Sequence, residues 1–179
     1  GGVSILEWFA PAVPLEEVDW EAVYREEMPR VFNYFRYRGL ERATAEDLTS
    51  ATFEKAWRAR ERYRQDRAAV STWLLAIAHN VAIDHFRRSR PEVPLVGDAA
   101  TDEETPETAA LRAGQSLRLN ELLRALPERE RELLALKYGA DATNRAIATL
   151  TGLSESNVGT ILHRTVVSLR SRWDEGGPQ

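Results

Sequence analysis

The C-terminal part of the chain carries a pattern that few folds can satisfy. From Asn144 to Arg172 it reads NRAIATLTGLSESNVGTILHRTVVSLRSR. Ala146, Ile147 and Leu150 give a short helix one apolar face. Gly152 then supplies the positive φ that a tight turn between crossed helices requires. Leu153 is the apolar plug of that turn, and Ser154 is placed to cap the helix that follows. Val158, Ile161, Leu162, Thr165 and Leu169 recur at helical spacing and predict its buried stripe. The opposite face offers Ser154, Glu155, Ser156, Asn157, Thr160, His163 and Arg164, side chains suited to base edges and phosphates. A helical hairpin with a merely wetted polar face has the same apolar stripe. The Gly-Leu-Ser turn at this offset favours a helix-turn-helix.

Strand signals are almost absent, so the chain reads as all-α: two helical domains, an acidic flexible linker and the C-terminal helix-turn-helix. Residues 1–14 form an N-terminal extension in which Ile5, Leu6, Trp8 and Phe9 cluster, expected to be a satellite of the first domain. That domain spans 15–90. Its first helix is expected from Pro14 to Tyr37, with Val18, Ala22, Val23, Met28, Val31, Phe32 and Phe35 inward and Gly39 at its end. Thr44 and Asp47 look like the cap of a second helix, which bears Leu48, Ala51, Thr52, Ala56 and Trp57. Ser71 is expected to cap a third, with Leu74, Ile77, Ala78, Val81, Ala82 and His85 on its buried side.

Residues 91–107 read PEVPLVGDAATDEETPE, without helical periodicity and rich in acids, as a linker does. The last domain covers 108–174, with Pro127 expected as the first residue of a helix whose Glu128 and Glu130 suit the positive end of its dipole.

Composition narrows the function classes. The 179 residues contain no cysteine, which removes disulfides and thiolate metal sites, and His79, His85 and His163 are scattered. Nothing marks an export signal or a membrane span, so a cytoplasmic location is expected. A Gly-rich phosphate loop, a paired nucleophile and base, and a carboxylate–histidine metal set are all missing from the sequence. The expectation is a non-enzyme without cofactor or metal. A net charge of −4 is unfavourable for a free-standing DNA binder, whose affinity comes largely from phosphate contacts. Weak DNA binding alone, and a partner that supplies the rest, follow from it.

The order of motifs resembles the extracytoplasmic-function sigma factors of bacteria, with their region 2 and region 4. AEDLTSATFEKAWRA, from Ala45, is similar to the region-2 helix that docks on RNA polymerase, and STWLLAIAHNVAIDHFRRSR, from Ser71, to the helix that engages the −10 element. LPERERELLALKYG, from Leu126, resembles the opening of region 4. The resemblance implies a promoter-specificity subunit that recognises −10 and −35 elements and aids promoter melting. It implies core polymerase (clamp coiled coil and flap), promoter DNA with single-stranded nontemplate −10 bases, and an anti-sigma factor as partners.

Carried across, polymerase binding falls on Asp47, Leu48, Phe53 and Trp57. Recognition of −10 falls on Asn80, Asp84, Arg87 and Arg88, with Tyr63 and Arg64 beside a base pocket, and −35 recognition on the polar face from Ser154 to Arg164. From the residues alone, Trp57 is expected mostly in the core, as large aromatics on a helical period are. Asp84 is equally suited to a salt bridge with Arg87 or Arg88. The pattern departs where Gly159, Val166 and Val167 replace cations of the reading helix, and where Ser50 and Ala51 replace a Gln-acid pair. Two rival readings remain: a dimeric helix-turn-helix regulator, and a sigma-like decoy that sequesters a regulator. Fully extended, the roughly 25 residues from Pro91 to Gln115 reach ~80 Å at ~3.3 Å each. That spans promoter elements about 20 base pairs apart, roughly 70 Å.

Overall fold

The computed structural model describes residues 18–64, 69–89 and 105–176. The apolar N-terminal cluster, the loop 65–68 and the acidic segment 90–104 lie outside them, and the expectations for those stretches with them. Among the described residues every regular element is helical. The order is α1 (Trp20–Tyr37), α2 (Arg42–Arg58), a 3-10 turn (Arg60–Arg62), α3 (Val70–Arg88), α4 (Pro106–Arg124), α5 (Glu128–Leu134) running into a π turn (Ala135–Gly139), α6 (Asn144–Thr151) and α7 (Glu155–Glu175).

Helices α1, α2 and α3 pack on one another as a three-helix bundle, while α4, α5 and α6 each contact α7. The two bundles also meet. The π turn lies along α1, and α3 touches α6. Val31, Phe35, Leu75, Ala78 and Val81 of the first bundle therefore share one buried cluster with Leu133, Leu136, Ile147, Val158 and Leu162 of the second. Each of these side chains larger than alanine, fully removed from water, contributes about 1.5–3 kcal/mol.

Caps explain most helix starts. Asp19, Thr105, Thr143 and Ser154 accept from the backbone N–H three residues on, the last pair at 3.1 Å between Ser154 Oγ and Asn157 N. Arg131 closes the other end of α4, donating to the carbonyls of Leu123 and Arg124 in its last turn and of Leu126 just beyond it.

Several expectations fail locally. Ser71 is no cap: α3 begins at Val70, and the Ser71 hydroxyl donates at 2.6 Å to the buried Glu27 carboxylate instead. Thr44 sits inside α2, which starts two residues earlier from Glu41 without a side-chain cap. Pro127 stands at the cap of α5 rather than at its first position. In α1, Met28 is exposed while Glu27 and Tyr34 are buried, because the inward stripe carries polar groups that find partners across the bundle. Helix α4 begins at Pro106, so Thr105 to Glu107 form its cap and first turn.

Gly152 has φ 77°, as the turn requires. Gly159 lies within α7, where an added Cβ would meet nothing closer than Asn144 Nδ2 at 3.7 Å. The two glycines therefore predict opposite signs in denaturant melts. Gly152→Ala is expected to destabilise by about 1–2 kcal/mol through its left-handed backbone. Gly159→Ala is expected to stabilise by up to ~1 kcal/mol through helix propensity. A stabilising Gly152→Ala would contradict the turn geometry.

Candidate nucleic-acid interface

The turn at Gly152 projects α7 so that one stripe enters the core and the other faces solvent. Val158, Leu162 and Thr165 are buried. Ser154, Glu155, Ser156, Asn157, Thr160, His163 and Arg164 are all exposed, so the structure gathers the polar residues on one face. Val166 is half-buried against the core and Val167 is exposed, which leaves that part of the helix without a cation. At the far end of α7, the Arg118 guanidinium sits 4.3 Å from the Trp173 ring centroid and ties α4 to it.

Helix α3 divides in the same way. Leu74, Leu75, Ala78, Val81 and Ala82 are buried, while Asn80, Arg87 and Arg88 are exposed. Asp84 pairs with Arg88 at 3.4 Å, so of its two candidate partners the structure selects the one a turn away. Tyr63 is not an open wall beside these residues. Its ring is buried against Trp73 and Trp20, with centroids at 5.0 and 6.0 Å, and burial raises its hydroxyl pKa. Arg64 is exposed.

On α2, Asp47 is exposed and Leu48 half-buried against the core. Phe53 stacks edge-on against Tyr24 of α1 at 4.8 Å rather than covering Trp57. Trp57 overturns the expectation of a core residue: it is 54% exposed, with the Arg60 guanidinium 3.9 Å from its ring centroid. Helical spacing could not reveal this. The inward positions beside it are taken by small side chains, Thr52 and Ala56, which let α2 approach its neighbours closely.

The sequence reading missed a polar knot between the bundles. Arg38, at the end of α1, has a fully buried side chain. It donates to Glu128 Oε1, and its Nε lies 3.1 Å from Glu132 Oε2, an ionic contact outside hydrogen-bond geometry. Tyr34, one turn earlier, donates to the Glu132 carboxylate at 2.8 and 2.9 Å. His79 of α3 adds Nδ1 at 2.9 Å from Glu132 Oε1, and the Arg38 guanidinium carbon sits 5.0 Å from the Phe86 ring centroid. Burial and the neighbouring Glu132 charge push the Tyr34 hydroxyl well above its usual range, so it stays a donor. Burial alone would lower the Arg38 pKa, but the surrounding oxygens outweigh it and the net shift is upward. The Arg38 hydrogen bond holds Glu128 below its ordinary value. A clue lay in the sequence: Tyr34 and Arg38, like Glu128 and Glu132, stand four apart, one turn on one helical face.

Among the described residues no group of side chains has metal-binding geometry, and no helix is long and apolar enough to cross a membrane.

Comparison with known proteins identifies the family. Residues 23–92 match the Sigma-70 region 2 family and residues 116–169 match Sigma-70, region 4. The chain is 30% identical over 159 residues to the RNA polymerase sigma factor YlaC of Bacillus subtilis, covering 84% of this chain and 89% of that one. It is also 30% identical over 151 residues to the ECF RNA polymerase sigma factor BldN of Streptomyces coelicolor, covering 82% of this chain and 57% of that longer protein. In fold it resembles CnrH, solved in complex with the cytosolic domain of CnrY, at TM-score 0.68 and 20% identity over 88% of this chain and 89% of that one. A second likeness is the sigma factor RpoE of Bartonella quintana, solved with the anti-sigma factor NepR (TM-score 0.67, 15% identity, 89% and 99% covered). The chain belongs to the extracytoplasmic-function sigma factors, promoter-specificity subunits of bacterial RNA polymerase.

The knot predicts a pH response. The hydrogen bond to Glu132 raises the His79 pKa above its ordinary 6.5, against the opposing effects of burial and Arg38, with Glu132 and Glu128 the acids facing it. A raised pKa stabilises the folded state fully below the ordinary value, and this contribution is lost as pH climbs through the raised one. Denaturant midpoints are expected to fall from about pH 6 to 8, and His79→Gln to flatten that slope. An unchanged slope in the variant would show that His79 does not carry it.

Proposed function

We propose that this chain directs core RNA polymerase to promoters through three separate faces, each carried by a helix whose other side is core. The α3 face, Asn80, Asp84, Arg87 and Arg88, engages the −10 element. Asn80 reads base edges of the opened nontemplate strand and the arginines grip phosphate. Arg64 lies on the approach to the −10 strand, while buried Tyr63 holds the loop's base rather than lining a pocket. The α7 face, from Ser154 to Arg164, enters the −35 major groove. With Gly159, Val166 and Val167 on that helix, few counterions are released and −35 contact is light.

The third face docks on polymerase. Asp47, Leu48 and Phe53 contribute, and the exposed Trp57 under Arg60 is its anchor, since exposed aromatics flanked by arginine are typical hot spots. Domain bounds of 15–90 and 108–174, with the 1–14 extension ahead of them, suit this division, except that the 91–107 linker gives up Thr105 to Glu107 to the cap and first turn of α4. Two weak DNA contacts become one useful contact when polymerase holds both modules. An acidic chain can therefore serve as a DNA-directing subunit, and it acts in the cytoplasm, where polymerase is. An anti-sigma factor is a further partner of this chain, by analogy with the similar folds solved in such complexes.

The observation that carries this reading is the exposure of Asn80, Arg87 and Arg88 on the very helix whose other stripe fills the first core. A dimeric regulator has no use for that face, and a decoy has no need of it. Run-off transcription with core polymerase on a promoter library tests it. Protein-dependent, sequence-selective transcripts are expected. Asn80→Ala is expected to reduce promoter opening roughly tenfold, consistent with ~1–3 kcal/mol for a base contact. Trp57→Ala is expected to weaken core binding about 5–30-fold, the effect of losing a hot spot of ~1–2 kcal/mol. Tight, sequence-specific DNA binding without polymerase would favour the regulator instead. Unaltered transcription in Asn80→Ala would remove the −10 role.

A further inference from the structure

Two contacts from α1 bear on the −10 face from behind. The first is aromatic. Tyr63, just past the 3-10 turn, and Trp73, in the first turn of α3, stand ten positions apart in the chain, yet their ring centroids are 5.0 Å apart. Trp20, the first residue of α1, closes on both, with centroids 6.0 Å from Tyr63 and 5.8 Å from Trp73. Tyr63 is buried and the two tryptophans are half-buried. The second contact is polar. Glu27, two turns further along the same face of α1, is buried and accepts from the Ser71 hydroxyl at 2.6 Å. Arg30 donates to Ser71 Oγ at 3.4 Å and lies 3.7 Å from the same Glu27 oxygen.

Both contacts act next to side chains assigned above to the −10 strand. Arg64 follows Tyr63 directly. Asn80 stands seven residues after Trp73, two turns along nearly the same face of α3, and Arg87 a further seven along. We propose that Trp20 and Glu27 of α1 are positioning residues for −10 recognition, which hold Arg64 and Asn80 in one fixed frame without touching the DNA. The inference deepens the sigma reading above and rests on it.

The two contacts fix different things. Ring pairs in tilted or edge-on geometry contribute beyond their buried area, and three rings meeting at once oppose any sliding of Tyr63 past Trp73. Glu27 lies at the N-terminal end of α3, where the helix dipole favours a carboxylate, and its short bond to Ser71 sets where that helix begins. The start of α1 is itself held, since Asp19 Oδ1 accepts from Ala22 N at 3.2 Å. Side chains that read a ligand have to be kept within about 0.5 Å of their working geometry, which requires packed support behind them. Arg64 and Asn80 are exposed and have that support only through their neighbours.

Loss of folded protein lowers output at every promoter by one factor, whereas loss of position changes the ranking of promoters. Run-off transcription with core polymerase, on a library randomised at both promoter elements, separates the two. In Trp20→Leu the base preference at −10 is expected to flatten about threefold or more, part of the ~5–150-fold that a good base contact provides, while the −35 preference keeps its size. Trp20→Phe restores a ring and is expected to recover most of the preference. Ser71→Ala removes the polar contact with little effect on packing and is expected to flatten the −10 preference as well. Glu27→Gln still accepts from Ser71 and is expected to keep it. A −10 ranking unchanged in one of Trp20→Leu and Ser71→Ala would remove that contact from the proposal. An unchanged ranking in both, or a uniform fall at all promoters, would overturn it.

Amide hydrogen exchange of the free full chain gives a readout independent of transcription. The amides of Arg62, Tyr63 and Trp73 bond to the carbonyls of Ala59, Arg60 and Ala69. Trp20→Leu is expected to speed their exchange roughly tenfold or more, with α5 to α7 unchanged and helicity retained, as local opening does. No change at these amides, or an equal change throughout α5 to α7, would overturn the positioning role. Faster exchange at these amides, with no transcript from the native protein on any promoter, would leave the brace standing and remove the sigma reading.

Discussion

The structure depends on how one guanidinium is kept out of water. Arg38 is fully buried, and an isolated buried charge costs several kcal/mol. Glu128 and Glu132 neutralise it, Tyr34 and His79 occupy the oxygens Glu132 has left, and Phe86 lies beside the guanidinium. Removing either carboxylate would leave the buried Arg38 short of counter-charge. Three helices must therefore be placed correctly at once, and the apolar cluster around them becomes one core rather than two.

That constraint shapes the local geometry. Glu128 and Glu132 point together because α5 is regular for two turns. The chain then widens into a π turn, where Ala140 N donates to Ala135 O at 2.9 Å, and this brings Gly139 against α1. Such widened turns recur at functional positions. Here it sets the approach of one bundle to the other. Arg131, in the same short helix, turns inward to satisfy the end of α4, so the charged run ERERE serves three different bonding tasks on three sides.

The proposed faces are the parts the knot leaves alone. Asn80, Arg87 and Arg88 on α3, the polar stripe of α7, and Trp57 on α2 are exposed because other residues of the same helices supply the core. Few cations on that stretch of α7 and a net negative chain are what the proposal of weak separate DNA contacts rests on. Weak contacts suit a subunit whose specificity emerges only when polymerase holds both modules in register.

The sequence by itself determined the elements and the motifs. Apolar spacing, the Gly152 turn and the Ser154 cap made the helix-turn-helix legible, because these are short-range devices that act within a few residues. The motif order made the family legible as well. Where local signals competed with distant partners, reading failed. Ser71 was drawn from its capping role to Glu27, which lies 44 positions away, and Trp57 stayed outside because small residues took the inward positions. Apolar spacing does not single out Tyr34 and Arg38, since their partners lie 90 or more positions further on. Only the tertiary structure decided that the two bundles close on each other. Burying a charge is favourable only when its counter-charges arrive from elsewhere in the chain, and periodicity within one helix carries no record of them.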